Sequence, residues 1–277
     1  MAITFLKGHG TENDFVLLPD PDGGLDLTDS RVRALCDRRR GLGADGVLRV
    51  VRTKALLDAP ADIGGDVWFM DYRNADGSIA EMCGNGVRVF ARYLHDTGLV
   101  DGPEFPVGSR AGLRPVVVHP DGTVTVDMGP VRGLGRSVAT VAGVPFDGIG
   151  IDVGNPHLAC VLDGVDLDGL DLGVEPGFDA GLFPRGVNIE FIVPIAPDAI
   201  RIRVHERGVG ETRSCGTGTV AAAAAALSAQ GEPTGARTVH VPGGAVVVTI
   251  GDGVSTLSGP AAFVASGELD QTWWDEH

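Results

Sequence analysis

"AEMCGNGVRVFARYLHDTG", residues 80–98, places a cysteine directly before a Gly-Asn-Gly turn and an amphipathic, helix-like stretch. Farther along the chain, "TRSCGTGTVAAAAAALSAQG", residues 212–231, repeats this arrangement, and both stretches read C-G-x-G. The first backbone N–H groups of a helix lack partners and carry a partial positive charge. Glycines beside them leave room for a ligand to approach the backbone. Each stretch therefore predicts a thiol at a helix N-terminus, in a position suited to an anion.

The sequence around these two helices indicates an internal duplication. Asn13 in "NDFVLL" and Asn155 in "NPHLAC" each begin an apolar, strand-like run. Cys83 lies 70 residues after Asn13, and Cys215 lies 60 residues after Asn155. Two halves of similar plan, each leading to a C-G-x-G helix, are typical of a twofold repeat.

Most of the remaining signals are those of short β-strands. Asp121-Gly122 and the segment 251–253 are hairpin turns between apolar, alternating runs. The sequence predicts helices over 30–40, 84–97 and 216–230. The consecutive alanines at 221–226 favour a helix that is buried on all sides.

These signals together predict an α+β fold with two pseudo-symmetric lobes. Each lobe is expected to be a curved, mostly antiparallel sheet wrapped around a central helix, with the active site in the cleft between the lobes. The predicted boundaries are 1–127 for the lobe that carries Cys83 and 128–264 for the lobe that carries Cys215. The tail, 265–277, is expected to return to the N-terminal lobe.

Composition restricts the classes of partner. The formal charge of −15 disfavours nucleic acid and anionic membrane surfaces, whereas a zwitterion is not repelled. The longest apolar run, 220–227, is far shorter than a membrane span, and the first residues lack the pattern of a signal peptide. We therefore expect a cytoplasmic protein with no nucleic-acid or membrane partner.

The four cysteines include no C-x-x-C pair, so neither a metal site nor a structural disulfide is expected. Cys36 and Cys160 lie in apolar patterns and are predicted to be small buried residues. Cys83 and Cys215 are expected to gain thiolate character from their helix N-termini. Two such thiols suit the inversion of a stereocentre, in which one group removes the α-proton and another returns a proton from the opposite face.

Over nearly its whole length the chain resembles the diaminopimelate epimerases. The motifs that carry the resemblance are "GTENDF" at 10–15, "NADGSIAEMCGNGVR" at 74–88, "VGNPH" at 153–157, "VNIEF" at 187–191 and "ERGVGETRSCGTGT" at 206–219. The resemblance implies an isomerase that interconverts LL- and meso-2,6-diaminoheptanedioate without pyridoxal phosphate or any other cofactor. It also implies a role in lysine and peptidoglycan precursor biosynthesis, and a homodimer.

The family roles transfer to individual positions of this chain. The resemblance assigns acid–base catalysis to Cys83 and Cys215, and the tuning of their pKa values to His157 and Glu206. It implies no metal ligand. The substrate contacts that it implies are Asn13, Asn74, Gly84, Asn85, Asn155, Asn188, Glu206, Arg207, Gly216 and Thr217.

Two features depart from the family pattern. Gly46 stands where many members have a glutamine that contacts the substrate, so we assign no contact to this position. Some members have a tyrosine near the C-terminus that supports the dimer, whereas the tyrosines of this chain are Tyr72 and Tyr93.

Other functions compete with this interpretation. A proline racemase or hydroxyproline epimerase would also use two cysteines, but its first motif typically has a histidine where this chain has Asn85. A non-catalytic amino-acid-binding protein would explain a cleft but not the paired thiols. "GLGADG" at 41–46 matches G-x-G-x-x-G, yet it precedes a strand-like run instead of following one, which disfavours a nucleotide site.

Overall fold

The computed structural model describes residues 2–277 and divides the chain into two compact units. The first unit comprises residues 2–126 together with the C-terminal segment Pro260–His277, and the second comprises Asp127–Gly259. The fold is α+β, with many strands and few helices.

The strands and helices are defined as follows. The strands are β1 (Ile3–Gly10), β2 (Asn13–Pro19), β3 (Gly46–Arg52), β4 (Trp68–Asn74), β5 (Glu104–Ser109), β6 (Gly112–Val118), β7 (Thr123–Gly129), β8 (Arg132–Val141), β9 (Val144–Asp152), β10 (Pro156–Val161), β11 (Asn188–Ala196), β12 (Ala199–Glu206), β13 (Gly210–Thr212), β14 (Gly235–Val241), β15 (Gly244–Ile250), β16 (Ser255–Pro260) and β17 (Ala262–Leu269). The helices are α1 (Asp29–Cys36), α2 (Gly84–Asp96), α3 (Gly216–Ala229) and α4 (Gln271–Asp275).

The two units repeat one strand topology. In the first unit, neighbouring strands follow the order β17-β1-β2-β3-β4-β5-β6-β7, with parallel pairs only at β2–β3 and β4–β5. In the second unit, the order β8-β9-β10-β11-β12-β14-β15-β16 has its parallel pairs at the equivalent places, β10–β11 and β12–β14. The predicted pseudo-symmetry is therefore confirmed.

Each unit has one helix that packs against most of its strands. In the first unit α2 follows β4 and packs on β1, β2, β3, β4 and β6. In the second unit α3 follows β13 and packs on β9, β10, β11, β12, β14 and β15. None of the helices within residues 2–277 combines the length and apolar character that a membrane span needs.

The helix predicted over 30–40 is shorter in the structure, since α1 ends at Cys36. Asp37 has an extended backbone, and its carboxylate accepts hydrogen bonds from the N–H groups of Arg39 (2.8 Å) and Arg40 (2.9 Å). This local turn offers the backbone an alternative to the helix. The predictions for α2 and α3 agree with the structure to within one residue at each end.

The alanine-rich helix α3 is buried on nearly all sides, as its sequence predicts. Ala221, Ala222 and Ala223 are 0% exposed, and the neighbouring Ala224 is one of the few partly exposed positions of the helix. Small side chains allow the surrounding strands to approach the helix backbone closely. Packing at this density leaves little room for additional atoms.

We expect Ala223→Leu to destabilise the protein by about 1–3 kcal/mol, because the added atoms overpack a filled interior. Ala224→Leu is the matched control, with an expected change within about 0.5 kcal/mol because its side chain reaches partly exposed space. Urea unfolding followed by circular dichroism measures both. Equal stability of the two variants would contradict this account of α3.

Candidate active site

Both C-G-x-G cysteines lie at the position predicted from the sequence. Cys83 is the N-cap residue of α2 and Cys215 is the N-cap residue of α3, each with extended backbone angles. Gly84 and Gly216 are consequently the first residues of their helices. The two thiols differ in their contacts with the helix backbone. Cys215 Sγ accepts a backbone hydrogen bond from the first turn of α3, whereas Cys83 Sγ makes no capping bond with α2.

A directed chain of hydrogen bonds borders Cys83 in the first unit. Arg88 Nη1 donates to Asn85 Oδ1 (3.0 Å), and Asn85 Nδ2 donates to Asn13 Oδ1 (3.2 Å). Asn13 Nδ2 donates in turn to Asp45 Oδ2 (2.7 Å). Arginine only donates and an ionised aspartate only accepts, so the two ends fix the orientation of both amides. Asn13 Oδ1 therefore faces Cys83 Sγ, which donates to it at 3.5 Å.

Arg88 is an unusual member of this chain of hydrogen bonds because its side chain is 0% exposed. Its other hydrogen bonds go to Thr11 Oγ1 (3.2 Å) and the carbonyl of Pro260 (3.3 Å), and it forms no ion pair with a carboxylate of residues 2–277. Burial lowers the pKa of Arg88 to about 10, and the nearby Cys83 acts in the opposite direction. The guanidinium thus stays protonated near neutral pH and supplies a buried positive charge near Cys83.

Asn74 does not take part in this chain of hydrogen bonds. It ends β4, and its Nδ2 donates to Ser78 Oγ at 3.0 Å. Across the β3–β4 pair, Asn74 lies opposite Gly46. A Cβ atom on Gly46 would lie 2.5 Å from the carbonyl oxygen of Arg73 and 2.6 Å from the ring of Tyr72. A glutamine therefore does not fit at position 46 with this backbone.

Cys215 in the second unit has more acidic surroundings. Its Sγ accepts the N–H of Gly218 (3.4 Å) and lies 3.6 Å from Thr217 Oγ1. Burial raises the pKa of Cys215 well above its ordinary value, and the carboxylates of Glu206 and Glu190 raise it further. The expected thiolate character is therefore wrong for Cys215, because desolvation outweighs the helix N-terminus in this structure.

His157 lies beside this thiol in a buried hydrogen-bonded group. Its Nδ1 is 2.6 Å from Glu190 Oε1, and its Nε2 is 3.1 Å from Asn155 Oδ1. His157 and Glu190 are both 0% exposed. Sequence reasoning missed Glu190, although a carboxylate inside the apolar run "NIEFIV" was an available signal, since an acid is rarely buried without a partner.

In the second unit, Glu206, Arg207 and Asn188 also form hydrogen bonds with neighbouring residues. Thr212 Oγ1 donates to Glu206 Oε1 at 2.5 Å, and Asn188 Oδ1 accepts the backbone N–H of Arg207 at 2.9 Å. Burial raises the pKa of Glu206, while hydrogen bonds from Thr212 and Cys215 act in the opposite direction. The Arg207 side chain is exposed and donates to the carbonyl of Arg185 at 2.8 Å.

The two cysteines outside these sites are buried, as predicted. Cys36 is 6% exposed and Cys160 is 0% exposed, and each belongs to a hydrophobic core. Desolvation raises the pKa of each thiol to about 12. None of the four cysteines forms a disulfide within residues 2–277, and no three His, Cys, Asp or Glu side chains of that range converge as metal ligands.

The sequence was compared with known proteins. The family model for diaminopimelate epimerase matches residues 5–134 and 149–264. The diaminopimelate epimerase of Rhodococcus opacus is 62% identical over 98% of each chain, and that of Mycobacterium tuberculosis is 57% identical over 98% of each chain. The chain belongs to the diaminopimelate epimerase family. It is accordingly an isomerase.

Solved structures support the same fold at much lower sequence identity. A phenazine biosynthesis protein of the PhzF family from Bacillus anthracis is 15% identical, with a TM-score of 0.68 over 98% of this chain and 99% of its own. A hydroxyproline epimerase from Agrobacterium vitis is 17% identical, with a TM-score of 0.68 over 99% of this chain and 94% of its own. The diaminopimelate epimerase family thus shares its fold with these proteins.

Thiol reactivity tests the electrostatics of this family member, because the thiolate is the species that alkylates. In native protein near neutral pH, we expect iodoacetamide to modify the partly exposed Cys83 first. Cys215 should react slowly, at a rate that rises as the pH passes well above the ordinary thiol value of about 8.5. The core thiols Cys36 and Cys160 should react only after unfolding.

Peptide mapping by mass spectrometry measures each site separately, and the same reaction in urea controls for the intrinsic reactivity of each peptide. Faster modification of Cys215 than of Cys83 near neutral pH would contradict the raised pKa of Cys215.

Proposed function

We propose that the protein interconverts LL- and meso-2,6-diaminoheptanedioate by proton transfer between two cysteines and the α-carbon, without a cofactor. The observation that carries the proposal is the paired position of Cys83 and Cys215, each the N-cap residue of the central helix of its unit. Its relatives named diaminopimelate epimerase are 56–62% identical over nearly the full chain, which supports the same substrate here.

The reaction exchanges one proton for another. In the LL-to-meso direction, the Cys215 thiolate takes the α-proton, and the electron pair of the C–H bond remains on the α-carbon as a carbanion. Cys83 then donates its S–H proton from the opposite face, which leaves a Cys83 thiolate and a Cys215 thiol. The reverse reaction exchanges these roles, so two chemically equivalent groups serve both directions.

The surroundings of the two thiols support this assignment. Cys83 Sγ lies 3.5 Å from Asn13 Oδ1, a hydrogen-bond acceptor, and this neighbour suits a thiol that serves as the acid. Cys215 has to lose its proton before it acts as a base, and we assign the carboxylate of Glu206, whose charge acts on this thiol, as the acceptor. Burial raises the pKa of Glu206, which favours transfer of a proton to this carboxylate.

The substrate has two ammonium and two carboxylate groups and is net neutral, so the charge of −15 does not repel it. We propose that N–H groups in the first turns of α2 and α3 bind the reacting carboxylate and stabilise the charge of the carbanion. The residues that we assign to this role are Gly84, Asn85, Gly216 and Thr217.

The remaining proposed contacts are side chains that suit a zwitterion. Amides both donate and accept, carboxylates bind ammonium groups, and arginine binds carboxylates through two parallel bonds. These residues are Asn13, Asn74, Asn155, Asn188, Glu206 and Arg207. We further propose a cytoplasmic homodimer that acts in lysine and peptidoglycan precursor biosynthesis, as the family resemblance implies.

We expect Cys83→Ala and Cys215→Ala each to lower kcat by at least about 10²–10⁴-fold, because each face of the α-carbon needs its own proton carrier. Cys36→Ala and Cys160→Ala are matched controls that should retain kcat, since both thiols lie in hydrophobic cores. The assay incubates reduced protein with LL-diaminopimelate and resolves the stereoisomers chromatographically. Near-normal turnover by Cys83→Ala would refute the two-thiol mechanism.

Solvent isotope incorporation tests the number of proton carriers. In deuterated water, the product of the first turnover should carry deuterium at the inverted carbon, because the second thiol has exchanged with solvent. Mass spectrometry of product formed from either isomer measures this. A product that retains the original hydrogen would require a single base acting on both faces.

A further inference from the structure

We propose that Glu190 is a positioning residue of the Cys215 half of the site, which fixes the imidazole of His157 and the first turn of α3. The proposal rests on the proposed function, since Cys215 is its proton carrier. Glu190 lies on β11, and His157 lies on the neighbouring strand β10. Two separate contacts of the Glu190 carboxylate support this role.

The first contact determines which nitrogen of His157 carries a proton. Glu190 Oε1 lies 2.6 Å from His157 Nδ1, and both side chains are 0% exposed. An ionised carboxylate only accepts hydrogen bonds, so the proposal, in which Glu190 acts as an ionised acceptor, places a proton on Nδ1. His157 Nε2 is then the nitrogen that interacts with Asn155, 3.1 Å from its amide oxygen.

This arrangement links the charge of His157 to the amide of Asn155. When the imidazole is neutral, Nε2 accepts a hydrogen bond, so Asn155 has to present its NH₂ group. When the imidazole is charged, Nε2 donates, and Asn155 has to present its oxygen. Glu190 holds Nδ1 in both states, and the change is therefore confined to the end of the ring that faces Asn155, a proposed substrate contact.

The second contact is with the turn that carries the thiol. A Cβ atom on Gly218 would lie 2.8 Å from Glu190 Oε1 and 3.3 Å from Cys215 Sγ. The oxygen that binds His157 thus also packs directly against the first turn of α3. A larger residue at position 218 would force the Glu190 carboxylate or this turn to shift, because real Cβ atoms do not approach other atoms so closely.

The other carboxylate oxygen of Glu190 indicates that this residue does more than fill space in the interior. Oε2 is buried and has no hydrogen-bond partner among residues 2–277. A buried polar atom without a hydrogen bond lowers the stability of the fold. The neighbouring apolar residues Ile189 and Phe191 fill the interior without that loss. The titratable groups that interact with Glu190 are His157 on β10, Cys160 on β10, Glu206 on β12 and Cys215 on α3.

Glu190→Gln tests the proposal because it keeps the shape of the side chain and removes its charge. We expect kcat to fall by about 10–100-fold, as for other carboxylates that orient a functional histidine, with little change in KM. We also expect alkylation of Cys215 to begin at lower pH, since one of the two carboxylates that raise its pKa has lost its charge. Glu232→Gln, which alters an exposed partner of Arg237, is the matched control and should change neither quantity.

A spectroscopic measurement separates positioning from stability. In the wild-type protein, ¹⁵N-correlated NMR of His157 should show a protonated Nδ1 with a strongly downfield proton, and this signal should be lost or move upfield in Glu190→Gln. A wild-type His157 protonated only at Nε2 would overturn the proposal without any variant. It would also be overturned by wild-type kcat in Glu190→Gln, or by a loss of kcat that follows thermal stability while the His157 signal is unchanged.

The experiment distinguishes this proposal from the proposed function. If the wild-type protein does not epimerise diaminopimelate, the proposed function fails, whereas the NMR signal and the alkylation profile still decide whether Glu190 positions His157 and acts on Cys215.

Discussion

The close packing of each central helix at its first turn is the constraint on which the rest of the structure depends. In α2, a Cβ atom on Gly86 would touch the side chains of Leu48, Met70 and Cys83. In α3, the equivalent Gly218 faces a buried carboxylate even more closely. Because no side chain separates these turns from their surroundings, the strands fix the helix ends, and the helix ends fix the cysteines. The all-alanine body of α3 extends the same close approach along the helix.

The duplicated topology carries two different electrostatic environments. The surroundings of Cys83 include a buried guanidinium and two amides whose orientation is fixed by hydrogen bonds, whereas those of Cys215 include two carboxylates and an imidazole. An epimerase that interconverts two different isomers has no need of identical halves. The repeat supplies equivalent backbone positions for the thiols, and the side chains around them give each thiol its own electrostatic environment.

Sequence reasoning predicted what depends on local patterns. The C-G-x-G motifs predicted the starts of α2 and α3, and the asparagine-led apolar runs predicted the beginnings of β2 and β10. It missed features that depend on strand register and burial, since only pairing places Glu190 beside His157 and only the fold encloses Arg88. The thiol pKa of Cys215 was mispredicted for the same reason, because the helix end is local whereas desolvation depends on all the strands around it.

The first unit is completed by the last strand of the chain. β17 pairs antiparallel with β1, with Ile3 opposite Leu269, although more than 250 residues separate them in sequence. During synthesis on the ribosome, the first unit therefore lacks this strand until Ala262–Leu269 have been made, by which time all residues of the second unit, Asp127–Gly259, have been made. The second unit can therefore complete its fold before the first unit, whereas N-terminal domains usually fold first. A nascent chain exposes the open edge of β1 throughout this interval, and pairing with β17 closes it.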